Sequence, residues 1–372
     1  MQNIFDNNIN NMDILEFYKN KKVLITGHTG FKGAWLSEIL LLAKADVVGY
    51  ALSPEDPSLF QINGLDKRMK SYFADIRDYD SLRQVFIQEQ PEIVFHMAAQ
   101  PLVKDGYLEP KMTYETNING TLNVLECMRS TSSVKSFLNI TTDKVYKSSQ
   151  MPHEESDMLD GFDPYSNSKS CSELITQTYA RCYFKDSKCA ISTARSGNVI
   201  GGGDFNKYRL LSDCMRAVID DKEMVLHNPD YIRPYYHVLD ALKGYMTIAM
   251  MQYIDHTFAG SYNLGPTNTN AISNQEIITL FKNKLEKDYN YSFSYIIQND
   301  SSTIEDTQLL LNTNKIQDLL HWHPTLSIED AIGEVATWTY LYKNQMDTKS
   351  HIQDMIHKVF HDESSISTMC SI

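Results

Sequence analysis

The sequence predicts an α/β fold: a doubly wound parallel sheet with a second, smaller, discontinuous α+β lobe. Three observations carry that expectation. An apolar strand near the N-terminus runs into a glycine-rich turn and then a helix, strand and helix patterns alternate through the following stretch, and the alternation loosens after Gly201-Gly202-Gly203. Alternating elements of this kind pair as parallel strands covered on both faces. A chain of 372 residues also exceeds what one hydrophobic core usually organises.

From Lys22 the chain reads Val23-Leu24-Ile25-Thr26, then Gly27-His28-Thr29-Gly30-Phe31-Lys32-Gly33, then a helical pattern through Trp35, Leu36, Ile39, Leu40 and Ala43. The apolar run Val47-Val48-Gly49-Tyr50-Ala51 completes a strand-helix-strand unit. Pro91 to His96 and Val134 to Tyr146 supply further buried strands, with helices between them. Val238 to Gln252 reads as a helix returning to the first lobe. The expected division is therefore residues 13–200 with 233–262 as the sheet domain, and 201–232 with 263–345 as the smaller lobe. Residues 1–12 are expected to be a disordered extension, and 346–372, which end in a Ser-rich run, a mobile tail.

Composition narrows the function classes. The formal charge of −13 argues against a nucleic-acid partner, because phosphate binding needs a basic surface, although a local basic pocket is compatible with it. Cys127, Cys171, Cys182, Cys189, Cys214 and Cys370 form no C-x-x-C pair and have no His at metal-ligand spacing, so no metal site is expected. The Asn-rich N-terminus lacks the basic start and apolar run of a signal peptide, and no apolar stretch is long enough to span a membrane. A cytoplasmic protein is the expectation.

A glycine turn between strand and helix lets backbone approach a pyrophosphate, while the helix N-terminus offers unpaired N–H groups and the positive end of its dipole. That context predicts dinucleotide binding, a Rossmann domain. The spacing is G-x-x-G-x-x-G, which resembles the short-chain dehydrogenase/reductase superfamily. At the end of the second strand, where an acid would hold a ribose 2′-hydroxyl, the chain has Tyr50-Ala51-Leu52-Ser53 and no Arg, so spacing does not choose between NAD and NADP. Asp75 is similar to the superfamily's adenine contact, with a helix or turn cap as its lesser reading.

Tyr165 and Lys169 stand four residues apart, one above the other on a helix face. A cation beside a phenol favours phenolate, so the pair can take a proton from an alcohol as hydride leaves the same carbon. Tyr18/Lys22 and Tyr107/Lys111 share the spacing and read as structural. Asp163-Pro164 offers a helix cap and a first-turn proline before Tyr165, and Thr141-Thr142-Asp143-Lys144 closes the preceding strand. The superfamily resemblance makes Thr142 the third member of the catalytic group.

The nucleotide-sugar 4,6-dehydratases carry an Asp-Glu pair after that Thr, and the branch acting on CDP-glucose resembles this chain in having Asp-Lys. The likeness runs from about Asp13 to Tyr342. Its blocks are the glycine turn, His96 to Val103, Asp163 to Lys169, Gly197 to Asp204, and Arg233-Pro234 with His237-Val238. It implies that Asp143 is the acid for the C6 hydroxyl and Lys144 the base at C5, with NAD as cofactor. The implied cofactor contacts are Gly27, Thr29, Gly30, Phe31, Lys32, Gly33, Asp75, Ile76, Ala98, Ala99, Gln100 and Asn117, with Tyr165 and Lys169. Asn198, Arg209, Arg233 and His237 would meet the nucleotide-diphosphate sugar.

Arg suits that task because its planar fork pairs with phosphate oxygens. The resemblance also implies a homodimer or a dimer of dimers, joined through helices near 165–183 and 112–129. Leu174, Ile175, Thr178, Ile118, Leu122 and Leu125 would supply its apolar face.

The chain departs from the pattern at Ser148 to Asp157, at Phe205 where Trp is usual, and at Tyr235-Tyr236 where Trp-Gln is usual, so the base and the sugar are its least determined features. A nucleotide-sugar epimerase would share the fold and the Tyr/Lys pair but needs no Asp-Lys. A non-catalytic NAD-binding protein would be marked by loss of Tyr165 or Lys169, or by a basic face, and neither is seen.

Overall fold

The computed structural model describes residues 13–266, 272–298 and 309–361. The expected extension at 1–12 and residues 362–372, including Cys370, lie outside the described residues. Seven strands form the main sheet: β1 (Lys22–Thr26), β2 (Asp46–Ala51), β3 (Lys70–Phe73), β4 (Ile93–His96), β5 (Ser136–Ile140), β6 (Ala190–Ser196) and β7 (Ser261–Leu264). Their spatial order is β7-β6-β5-β4-β1-β2-β3, and every pairing is parallel. The order reverses between β1 and β4, so the turns leaving the ends of these strands diverge to opposite faces and open a crevice there.

Alternation along the strands serves both faces of the sheet. Val23 and Ile25 join one hydrophobic cluster and Leu24 the other; Ile93 and Phe95 part from Val94 in the same way, and Leu138 from Phe137. Helices α1 (Phe31–Leu42) and α5 (Val238–Ile254) cover one face. Helices α2 (Tyr79–Glu89), α3 (Gly120–Arg129) and part of α4 (Pro164–Tyr183) cover the other. Leu125, expected on a dimer face, is fully buried in this second cluster, whereas Leu174 on α4 is exposed.

Two expected elements are interrupted. The strand expected through Tyr146 ends at Ile140, and Asp143–Val145 is a 3-10 turn capped by the Thr142 hydroxyl. The helix expected over 112–129 contains a π turn at Glu115–Asn119 before α3 begins. This extra residue in the turn swings Asn117 inward.

The smaller lobe gathers helices Leu210–Ile219 and Asn274–Tyr289 around α6 (Ile328–Lys343). Short strand pairs fasten it: Asn198–Ile200 with Tyr235–His237, and Ile232–Arg233 with Ile272–Ser273. The mobile tail expected from 346 is corrected over its described part. Residues Thr348–His361 form helix α7, which buries Ile352, Met355, Ile356 and Val359. That spacing is an amphipathic helix stripe. Its Gln353 donates to Glu38 of α1, a buried carboxylate that Arg68 also grips at 2.6 and 2.9 Å.

Candidate active site

The glycine turn leaves β1 with Gly27 at φ +80°, a conformation that a side chain strains. A Cβ there would also lie 2.8 Å from the Ala98 nitrogen, and one on Gly33 would lie 2.2 Å from the Gly27 carbonyl oxygen. Both positions are closed by the protein's own backbone. Gly30 differs, because a Cβ there would meet only the Gly27 oxygen, at an ordinary 3.5 Å. Position 30 thus leaves open space beside the start of α1, which fits the close approach of a dinucleotide pyrophosphate.

Around this turn the expected cofactor residues divide. The Thr29 hydroxyl donates to the Leu52 carbonyl at 3.0 Å. Phe31 is buried against Gly201, and Ile76 against Gly120. Asp75 holds a turn by accepting the Arg77 backbone N–H at 2.9 Å and pairing with its guanidinium, which keeps the carboxyl below its usual range. Ala98 and Ala99 follow β4 and are half-buried. Gln100 is engaged internally with Leu102 and Thr113, and its backbone N–H donates to Asn117 at 2.8 Å. Asn117 in turn donates to Ser168 of α4 at 2.8 Å, which ties the loop after β4 to the helix bearing Tyr165 and Lys169.

Asp163 caps α4, accepting the Ser166 N–H at 3.0 Å, with Pro164 in the first turn. Tyr165 is nearly buried beside Thr142, which acts on its phenol as a hydrogen-bonding partner. Burial pushes the phenol up to about 12, partly opposed by Thr142 and Arg209. Lys169 donates to the Ile140 carbonyl at 3.1 Å, and burial together with Lys32 brings its ammonium down to about 8. Of the other two Tyr/Lys matches, the Tyr18 hydroxyl donates to the Met246 carbonyl inside the core, and Tyr107 and Lys111 lie on separate short helices.

Asp143 is 4% exposed and accepts the Thr142 hydroxyl at 3.0 Å. Burial raises its pKa above the usual carboxylate value, against the pull of Lys144, Thr142, Arg233 and Lys32. Gly197 packs against this carboxylate, where a Cβ would come within 3.1 Å of it. The 3-10 turn matters here, because neighbouring residues on a regular strand would face opposite sides of the sheet.

Lys32, expected at the cofactor, points towards Asp143, Asp204 and Arg209 with its Nζ 3.4 Å from the Tyr245 hydroxyl. Burial, with Arg209, lowers it to about 8. Arg209 pairs with Asp204 at 2.8 Å and acts on Tyr165, while Arg233 acts on Asp143. Asn198 is half-buried on the short strand that pairs with Tyr235. On a chain of net charge −13 the result is a local concentration of cations: Lys32, Lys144 and Arg233 act on Asp143, Lys32 and Arg209 on Asp204, and Lys169 lies within reach of Lys32.

One expectation is corrected. His237 is 1% exposed, caps α5 by accepting the Leu239 N–H at 3.2 Å, and packs edge-on against Trp35. Its Nδ1 is thus taken up by the helix start and its ring by Trp35, and burial lowers it to about 4. Sequence reading missed Asp204 and Tyr245 as neighbours of the charged group. Asp204 ends the Gly197 to Asp204 block, but Tyr245 sits mid-helix without any local signal. Among the described residues no group of His, Cys, Asp and Glu could hold a metal, and no helix is long and apolar enough to cross a membrane.

A dinucleotide-type parallel sheet, a G-x-x-G-x-x-G turn and a Thr/Tyr/Lys group at the end of β5 define the class, the extended short-chain dehydrogenase/reductases. The family model described as GDP-mannose 4,6 dehydratase matches residues 24–335, and the chain belongs to that family of nucleotide-sugar dehydratases. It is 38% identical over 331 residues to a CDP-glucose 4,6-dehydratase of Salmonella typhimurium, covering 87% of this chain and 91% of that one. In fold it is similar to a Streptomyces venezuelae dTDP-glucose 4,6-dehydratase solved with NAD bound, with a TM-score of 0.74 at 22% identity over 87% of this chain and 98% of that one. A Thermus thermophilus UDP-glucose 4-epimerase in complex with NAD gives a TM-score of 0.72 at 20% identity, covering 86% and 98%. Dehydratases and epimerases thus share this scaffold, and the scaffold does not separate them.

Proposed function

We propose that the chain is an NAD-dependent CDP-glucose 4,6-dehydratase, a hydro-lyase yielding CDP-4-keto-6-deoxyglucose for deoxysugar and surface-polysaccharide (lipopolysaccharide O-antigen) synthesis. The observation that carries the reading is the turn that seats Asp143 in the interior beside Thr142, with Lys144 next to it. An epimerase has no use for that pair.

The glycine turn, Thr29, Asp75 and Lys169 are the groups we assign to holding NAD, which when bound would accept hydride from sugar C4 and return it at C6. Tyr165, as phenolate supported by Lys169, removes the C4 hydroxyl proton, and Thr142 orients that hydroxyl. Once C4 is a ketone, the C5 proton is acidic. Lys144 takes it while Asp143, whose protonated form burial favours, protonates the departing C6 hydroxyl. Arg209 and Arg233 hold the diphosphate, with Asn198 as a neutral partner.

We assign the protein to the cytoplasm, where NAD and nucleotide sugars are found. A homodimer or dimer of dimers through the exposed side of α4, where Leu174 and Tyr183 lie open, completes the reading. Purified protein incubated with CDP-, dTDP-, UDP- and GDP-hexoses should give the alkaline ultraviolet absorbance of a 4-keto product with CDP-glucose and no net NADH. Turnover of another hexose alone, or NADH accumulating one for one, would refute it.

A further inference from the structure

Behind the catalytic turn lies a buried polar cluster that the mechanism above does not use. Glu173 and Arg195 have no exposed surface. They pair through two contacts, Arg195 Nε to Glu173 Oε1 at 3.0 Å and Nη2 to Oε2 at 3.0 Å. The Glu173 carboxylate also accepts the hydroxyls of Thr141 at 2.6 Å and Thr193 at 2.7 Å. On its far side Arg195 Nη1 donates to the Tyr146 hydroxyl at 2.7 Å and to the Glu155 carbonyl at 3.0 Å, and its guanidinium lies 4.9 Å from the Tyr146 ring centre. Tyr146 donates to Asn263 at 2.6 Å and stacks on His153 at 4.5 Å.

Position in the chain gives this cluster its meaning. Thr141 immediately precedes Thr142, and Tyr146 immediately follows the 3-10 turn that carries Asp143 and Lys144. One side chain pair therefore holds the catalytic turn at both ends. Glu173 also stands one helical turn beyond Lys169 and acts on its ammonium, opposing the lowering by burial and Lys32. A buried ion pair is weak evidence for stability by itself, since two well-packed apolar groups often do as well. Its place at the two ends of the turn points to a role in geometry.

We propose that Glu173 and Arg195 are positioning residues of the dehydratase: together they fix the turn from Thr142 to Val145 against α4. The inference rests on the catalytic reading of Thr142, Tyr165 and Lys169.

Two variants test the proposal: Glu173→Gln with Arg195→Met, which leaves no unpaired buried charge, and Glu173→Asp, which keeps the anion but draws it back. The first step is read by single-turnover absorbance at 340 nm with CDP-glucose, the turn itself by amide hydrogen exchange over residues 142–146, and folding by thermal melting. In the double variant the first step should slow by about tenfold or more and exchange over 142–146 should quicken, with KM changed less than about threefold.

Glu173→Asp should slow the first step by about fivefold or more, since small misplacements near a reacting centre cost rate. A wild-type first step in Glu173→Asp, or in a folded double variant, overturns the positioning role. Should the double variant fail to fold, Glu173→Asp alone decides. If unmodified protein gives no 340 nm signal with CDP-glucose, it is the dehydratase reading that fails, and exchange over 142–146 still reads the pair.

Discussion

Two turns leave the same edge of the sheet and are built on opposite principles. The turn after β1 is shaped by missing side chains: Gly27 and Gly33 are hemmed in by backbone at 2.8 and 2.2 Å, and position 30 stands open. The turn after β5 is shaped by side chains that are present. Thr142 caps it, Glu173 and Arg195 hold its flanks, and Lys169 grips the strand end. A turn made by sterics tolerates almost nothing at its closed positions. One made by partners depends on residues far away in the chain.

The largest expected effect falls on the second turn. Tyr165→Phe should abolish both product and the 340 nm transient. Asp143→Asn and Lys144→Met should slow product formation by about 10²- to 10⁴-fold while leaving C4 oxidation partly alive, so that enzyme-bound NADH accumulates. Single-turnover absorbance together with solvent-deuterium uptake at C5 distinguishes these outcomes. If both pair variants work at the unmodified rate, the Asp-Lys turn has no part in elimination and the epimerase reading takes its place.

A smaller effect contrasts two glycines within the first turn. Gly33→Ala should destabilise the protein by about 1–3 kcal/mol in urea unfolding, because the new methyl meets rigid backbone. Gly30→Ala should change stability by less than about 0.5 kcal/mol, yet weaken NAD binding in calorimetry. Equal losses of stability in the two variants would mean that position 30 is closed as well.

A last effect comes from buried imidazoles. Burial lowers His28 in the glycine turn to about 4, His96 at the end of β4 to about 3, and His237 to about 4. Each is lower folded than unfolded, so the unfolded chain binds more protons between the two values. Stability should be fully present above about pH 6.5 and decline steadily towards pH 4. Urea midpoints across that range, flat in place of falling, would contradict the burial of these rings.

His28 illustrates how much of the site was legible. It stands inside a motif that reads as functional, yet it fills the space over Gly49 and bonds Ser71 at 3.1 Å. His237 carried a substrate expectation and proved to be a helix cap. The C-terminal helix, by contrast, had a readable stripe in Ile352, Met355, Ile356 and Val359, which the Ser-rich end beyond it obscured.

By itself the sequence determined whatever is enforced between near neighbours: the strand-turn-helix with its glycines, the capped start of α4, the spacing of Tyr165 to Lys169, and the Asp143-Lys144 pair. These follow from backbone sterics and helical periodicity, which act over a few residues and leave a pattern in the letters. Only the tertiary structure decided that Lys32 faces Asp143, that Arg209 acts on Tyr165 and Arg233 on Asp143, and that Glu173 and Arg195 brace the catalytic turn. Such contacts join segments distant in the chain. They are selected when the sheet and helices pack together, where a buried charge must find its partner, and no local spacing records which partner that is.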